Sequence, residues 1–272
     1  MPNALYPPLK PRSFGELLDA VLQIFRLSLL KCLPYATLAI IAEQASAFYY
    51  VSRGRLPLLG GAALDSNDPV GVALYGVGTL AFVILSMTIL LRQSTIAAGR
   101  PVRGSSDLLE TLKRAPAIAA IALLAGAAAA VFMLPALALA PPYRLAGMVV
   151  MLAPAIYVWI ALSFSLPAVV LARKGVLASL AYSFKLVRGN WWRVAGTYAV
   201  GLAVILTLSM FVASIAAMAF SDSGADDLAV ARAITSAAIL AVLAIGLTFY
   251  SALTLALFGD LEVRRTTSSP GP

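Results

Sequence analysis

The chain has 272 residues; 61% are hydrophobic and 12% charged, with 20 lysines and arginines against 12 acids and no histidine. A soluble domain carries about 25% charged residues, so these charges are too few to coat a water-facing surface. With a mean hydropathy of +0.92, soluble, disordered, collagenous and disulfide-built classes are excluded, and a polytopic helical membrane protein remains.

In chain order, residues 1–12 read as a proline-rich polar tail. No removable signal follows, because Glu16 and Asp19 interrupt the next apolar segment. Residues 13–28 predict an amphipathic interfacial helix. Ser13 and Glu16 have capping-box spacing. Phe14, Leu17, Leu18, Val21, Phe25 and Leu29 fall on one face, opposite Glu16, Asp19, Gln23 and Arg26. Six apolar stretches long enough to span a bilayer lie at 33–51, 70–91, 116–140, 145–172, 194–220 and 233–258. The third and fourth are divided by Pro141, Pro142, Tyr143 and Arg144, which favour a tight reversal.

Two further amphipathic helices are predicted at 106–114 and 175–188, each ahead of a span. In the first, Leu108, Leu109 and Leu112 oppose Asp107, Glu110, Lys113 and Arg114. In the second, Val176, Leu177, Leu180, Phe184 and Val187 oppose Ser179, Ser183, Lys185 and Arg188, and Gly189 and Asn190 end it. The expected architecture is therefore all-α: one polytopic membrane domain with six transmembrane helices in three pairs, each pair preceded by an interfacial helix. Residues 259–272 read as a flexible C-terminal tail.

Six spans put both termini on one side. Only Arg53, Arg55, Arg144 and Arg232 of the 20 basic residues then fall on the other side. The positive-inside rule places both termini in the cytoplasm of a bacterial inner membrane.

The opening Arg12-Ser13-Phe14-Gly15-Glu16-Leu17-Leu18-Asp19-Ala20, with Phe25-Arg26, resembles the start of the glycerophosphoryl diester phosphodiesterase membrane-domain family. Ala178-Ser179-Leu180-Ala181-Tyr182-Ser183-Phe184-Lys185-Leu186-Val187-Arg188-Gly189-Asn190-Trp191-Trp192-Arg193 resembles that family's second recurrent segment. The resemblance implies a membrane part only. Members that hydrolyse phosphodiesters do so in a separate soluble barrel, which needs about 250 residues. No catalytic residue is carried over.

The residues themselves point away from an enzyme. Without histidine there is no usual general base, no commonest metal ligand and no Ser-His or Cys-His pair. The lone Cys32 reads as a packing residue, with a thiol activated by Lys31 as the minor reading. Gly259-Asp260 lacks the glycine pattern and the second aspartate of an intramembrane aspartyl site. No phosphate-binding loop is present. No cofactor, metal or nucleic-acid partner is expected. Asp222, Asp226 and Asp227 read as a solvated loop, and Asp65, Asn67 and Asp68 as a turn.

Two candidate sites remain. Glu43, followed by Gln44, is the one acid within a predicted span, and an ionisable residue there is costly. It reads as a helix-joining carboxyl or, alternatively, as the working group of a small-molecule transporter. Arg173, Lys174, Lys185, Arg188 and Arg193 form a basic set with no acid between its members, beside Trp191 and Trp192. This pattern suits contact with anionic lipid headgroups or plain topological anchoring. The functional expectation is a non-enzymatic membrane-organising or lipid-interacting accessory protein. Its partners are membrane lipids, and whether it also takes a protein partner or forms a homo-oligomer is left open.

Overall fold

The computed structural model describes residues 5–54, 68–102, 104–219 and 225–268. Within them the chain forms only helices: α1 (Phe14–Glu43), α2 (Ala45–Ser52), α3 (Pro69–Ala97), α4 (Ser106–Leu112), α5 (Ala115–Leu137), α6 (Pro141–Leu162), α7 (Ser165–Val170), α8 (Val176–Val187), α9 (Trp191–Ala219) and α10 (Ala225–Ser268). Six helical stretches are long and apolar enough to cross a membrane: Phe14–Glu43, Pro69–Ala97, Ala115–Phe132, Leu145–Val170, Trp191–Ile215 and Ile234–Thr267.

Local chemistry explains the boundaries. The capping box at Ser13 and Glu16 forms as the spacing predicts: Ser13 Oγ accepts from the Glu16 N–H, and Glu16 accepts from the Ser13 N–H at 2.7 Å. Asp68 caps α3 by accepting from the N–H groups of Val70 and Gly71, with Pro69 in the first turn. Hydrogen bonds from these two N–H groups, the Gly71 one foremost, hold the Asp68 carboxyl below the usual aspartate range. Pro141 and Pro142 open α6 instead of filling a loop. Gly189 leaves α8 in the left-handed region at φ 85°.

Consecutive spans pack together: α1 on α3, α5 on α6, α9 on α10. Helix α1 also packs along α10, so the first span has two long neighbours. The largest core cluster joins Leu17, Val21 and Ile24 of α1 to Phe164, Val194, Tyr198 and the Ala252–Leu261 stretch of α10. Toward the other end, large apolar side chains such as Leu202, Leu206, Met210 and Phe211 of α9 point outward. Such a continuous apolar exterior suits lipid and not water.

Two expectations change. The helix at 13–28 is not a separate interfacial element, because α1 runs unbroken from Phe14 to Glu43 and carries the span with it. Leu17 and Val21 of its apolar stripe are buried in the core with α10, while Phe14 stays 42% exposed, so most of the stripe is used inside the bundle. Residues 259–268 are not a flexible tail; they continue α10, with Asp260 and Leu261 fully buried. Helices α4 and α8 each turn small polar or acidic side chains inward as well, although in α8 Val187 is also buried and Lys185 and Arg188 stay exposed. Asp107, Thr111, Ser179 and Ser183 face inward, whereas Leu177 is 77% exposed and Phe184 46%. The reason is visible at Ser183. The 145–172 span breaks between α6 and α7, where Pro167 cannot donate to the preceding turn. Ser183 Oγ donates to the Ala161 carbonyl at 2.7 Å and accepts from the Phe164 N–H at 3.1 Å, satisfying both sides of the break.

Candidate functional site

The most constrained polar cluster lies where both ends of the chain meet. Asp260 and Arg264 are one turn apart on α10 and so share a face. Arg193 stands in the first turn of α9. Asp260 is fully buried, and its Oδ2 receives Arg193 Nε at 3.2 Å and Arg264 Nε at 2.9 Å. Its Oδ1 accepts the Arg12 backbone N–H at 2.7 Å. The two guanidinium groups also donate, through Nη2, to the Arg12 carbonyl at 2.7 and 2.6 Å. Arg12 in turn donates to the Leu5 carbonyl at 2.8 Å, and Leu5 N–H reaches the Ala97 carbonyl at 2.9 Å. Gly259 admits this strap: a Cβ there would meet Pro8 and Tyr6 at 2.8 and 2.9 Å. A buried carboxylate is tolerable only with its charge matched and its lone pairs filled, and here both conditions hold.

Sequence reasoning did not find this cluster. In sequence Asp260 resembles only part of an intramembrane aspartyl site, and its partners Arg193 and Arg12 lie 67 and 248 positions away. The one local signal was the i, i+4 spacing to Arg264.

The basic set divides. Arg193 is committed to Asp260, with 22% of its side chain left exposed. Arg173, at φ 53°, pairs with Glu110 at 3.5 Å but keeps most of its side chain exposed. Lys174 Nζ lies 4.5 Å above the Tyr182 ring. Tyr182 donates to Glu262 at 2.6 Å, and burial, followed by that carboxylate, raises its pKa, so the phenol stays protonated. Lys185 and Arg188 are exposed. Trp191 stacks on Tyr157 with ring centres 5.7 Å apart, whereas Trp192 is 83% exposed. The set that has no acid in sequence therefore meets Glu110 and Asp260 in space, and Lys185, Arg188 and Trp192 make its outward part.

Glu43 ends α1, and Gln44 is the residue between α1 and α2. Glu43 is half-buried; one carboxyl oxygen is enclosed without a hydrogen-bond partner, as is the Thr79 hydroxyl. Thr79 is ten residues into α3, about 15 Å from its start at 1.5 Å per residue. Helices α1 and α3 touch closely there: a Cβ on Gly78 would lie 2.2 Å from the Ala42 carbonyl oxygen.

Other polar groups join helices. Gln93 is fully buried and donates to Ser28 Oγ at 3.2 Å and to the Thr248 carbonyl at 2.9 Å, linking α3 to α1 and α10. Arg114 donates to the carbonyls of Val169 and Val170, closing α7, and pairs with Glu110 at 2.5 Å. Asp107 lies buried near Arg92 and Arg100, and desolvation raises its pKa despite these cations. Cys32 is buried, as a packing residue would be. Among the described residues no three His, Cys, Asp or Glu side chains gather to hold a metal. Asp65, Asn67, Asp222 and the side chains of Asp226 and Asp227 lie outside the described residues.

Against known proteins, the family model for the membrane domain of glycerophosphoryl diester phosphodiesterase matches residues 132–270. No curated protein and no solved structure matches the chain. The matched region takes in the 178–193 segment and three members of the ionic cluster, Arg193, Asp260 and Arg264. It leaves Arg12 and the opening 12–26 segment outside.

Proposed function

The chain belongs to the membrane-domain family of glycerophosphoryl diester phosphodiesterase, and on that premise we propose that it is a non-enzymatic accessory protein that engages anionic lipid headgroups. It is an integral, multi-pass membrane protein. The non-enzymatic reading is supported by a match to the membrane part alone, with no catalytic domain evident, and by a chain without histidine. The charge bias supports an inner membrane with both termini cytoplasmic, and a reporter fused to the C terminus tests that side.

One observation carries the lipid reading. Lys185, Arg188 and the 83% exposed Trp192 surround the α8–α9 turn, beside the end of the bundle that holds both termini. An indole there suits the headgroup level, and each cation near an anionic leaflet contributes about 1 kcal/mol. Two such cations give an enrichment of anionic lipid of about tenfold or more. The test is the full chain in nanodiscs of mixed phosphatidylglycerol and phosphatidylcholine, with bound lipids weighed by native mass spectrometry. Lys185→Gln with Arg188→Gln should abolish the preference; an unchanged preference sinks the reading.

The enclosed, unpartnered oxygen of Glu43 favours a second reading, a small-molecule transporter that uses this carboxyl. Against it, the close contact of α1 with α3 at Gly78 leaves little room for a path beside Glu43.

A further inference from the structure

A cavity of about 310 Å³ lies among α3, α5, α6, α7, α9 and α10. That volume is at the lower end of small-molecule sites, about 300–1,000 Å³. Its walls are mostly apolar, with Met87, Leu90, Leu162 and Leu247 among them. One polar group in it is uncommitted. Tyr198 is 4% exposed, its ring is stacked on Tyr250 with centres 5.3 Å apart, and its hydroxyl makes no hydrogen bond. Ser163, Thr254 and Tyr250 stand nearest that hydroxyl, and none of them meets it in hydrogen-bond geometry; Ser163 and Thr254 give their own protons to the Ile160 and Tyr250 carbonyls at 2.8 and 2.9 Å. A buried phenol with no partner is expensive to maintain, and a ligand carbonyl would satisfy it.

Depth narrows the ligand. Tyr198 lies five residues beyond Arg193 on α9, and Thr254 six before Asp260 on α10. At 1.5 Å per residue this is about 7–9 Å inward from the ionic cluster. The headgroup region adds about 5–8 Å to each face of the hydrocarbon core. With Trp191, Trp192 and Arg193 at headgroup level, the Tyr198 hydroxyl lies at the depth of acyl ester carbonyls. The cavity also reaches the outer surface, because Trp159 lines it and is 55% exposed.

From this geometry we propose that the cavity takes one acyl chain of a membrane glycerophospholipid, with Tyr198 donating to its ester carbonyl. The assignment deepens the lipid-binding reading but stands on a different set of residues, so the two can fail separately.

The test places the full chain in nanodiscs containing a glycerophospholipid with a diazirine on its acyl chain. After irradiation, peptide mapping locates the adducts. In the unaltered protein, adducts on Met87, Leu90 and Tyr198 should exceed those on the outward Leu206 and Met210. Tyr198→Phe should reduce cavity labelling about threefold, the worth of one membrane hydrogen bond. Ala155→Phe, at the wall beside Trp159, should remove cavity labelling while labelling of Leu206 and Met210 persists, which reports that the protein is still inserted. Cavity labelling no greater than outward labelling, or unchanged by Ala155→Phe, overturns the proposal. Retention of a free fatty acid instead of phospholipid, seen by native mass spectrometry, overturns the glycerolipid assignment. The Lys185→Gln/Arg188→Gln protein should keep its cavity adducts even as its anionic preference disappears; loss of those adducts counts against an independent acyl site.

Discussion

Replacing Asp260 by asparagine keeps the shape of the side chain and removes its charge. Two guanidinium groups then lose their counter-charge, and only part of the hydrogen bonding to them and to the Arg12 N–H can be rebuilt. Removing one partner of a buried pair typically costs about 3–5 kcal/mol. Here Arg193 and Arg264 retain 22% and 30% side-chain exposure and keep their bonds to the Arg12 carbonyl. Water and that carbonyl offset part of the loss, so the expected destabilisation is about 2–3 kcal/mol. The assay is reversible unfolding of the full chain in mixed micelles, titrated with sodium dodecyl sulfate. Arg264→Gln should cost less, because Arg193 still faces the carboxylate. Converting Asp260 to Leu together with Arg193 and Arg264 to Met should recover much of the Asp260→Asn loss, since a buried ion network can be exchanged for apolar packing at little net cost. An Asp260→Asn protein within about 0.5 kcal/mol of the original would refute the view that this carboxylate holds the bundle end together.

Gly78→Ala should destabilise by about 1–3 kcal/mol, because the new methyl meets the Ala42 backbone; an unchanged unfolding curve would mean that α1 and α3 do not approach this closely. Glu43→Gln should shift stability by no more than about 1 kcal/mol and leave the cellular phenotype intact; normal insertion with a lost phenotype would favour the transporter. Asp107→Asn should stabilise the protein at about pH 7. The folded-state pKa of Asp107 is raised by burial, so its ionised form penalises the fold above that pKa, and the penalty fades as pH falls through it. Unfolding followed from about pH 7 down to the ordinary aspartate range, about pH 4, should therefore show the advantage of the variant shrinking toward acid.

The spans were legible because a bilayer demands long apolar runs, and five of the six observed stretches fall close to the predicted ranges. The Ser13 cap and the stop at Gly189 were legible because both depend on neighbours in sequence. The sides of α4 and α8 were not. Leu177 and Phe184 mark α8 as amphipathic, but nothing in the sequence says that Ser183 turns inward to serve the break between α6 and α7. The length of α1 was hidden by the charges of its first turns, which suggest a surface helix although Leu17, Val21 and Ile24 are core. Arg193 looked like a headgroup ligand because its carboxylate partner lies 67 residues on. Glu43 was visible as an anomaly from composition alone, but its neighbour Thr79 was not, since nothing in sequence pairs the two.

The strap that binds Arg12 to Asp260 joins positions separated by 248 residues. A chain emerging from the ribosome is made from its N terminus, so Arg12 and Arg193 exist well before their anion. Until α10 is inserted, the start of the chain can reach α3 through Leu5 and Ala97 but lacks its Asp260 contact, and closing so long a loop must await that last helix. The ionic knot is therefore the final stitch in assembly. A chain cut short before residue 260 would lack the carboxylate that neutralises Arg193, and its first and last spans would lose the tie that joins them at this end of the bundle.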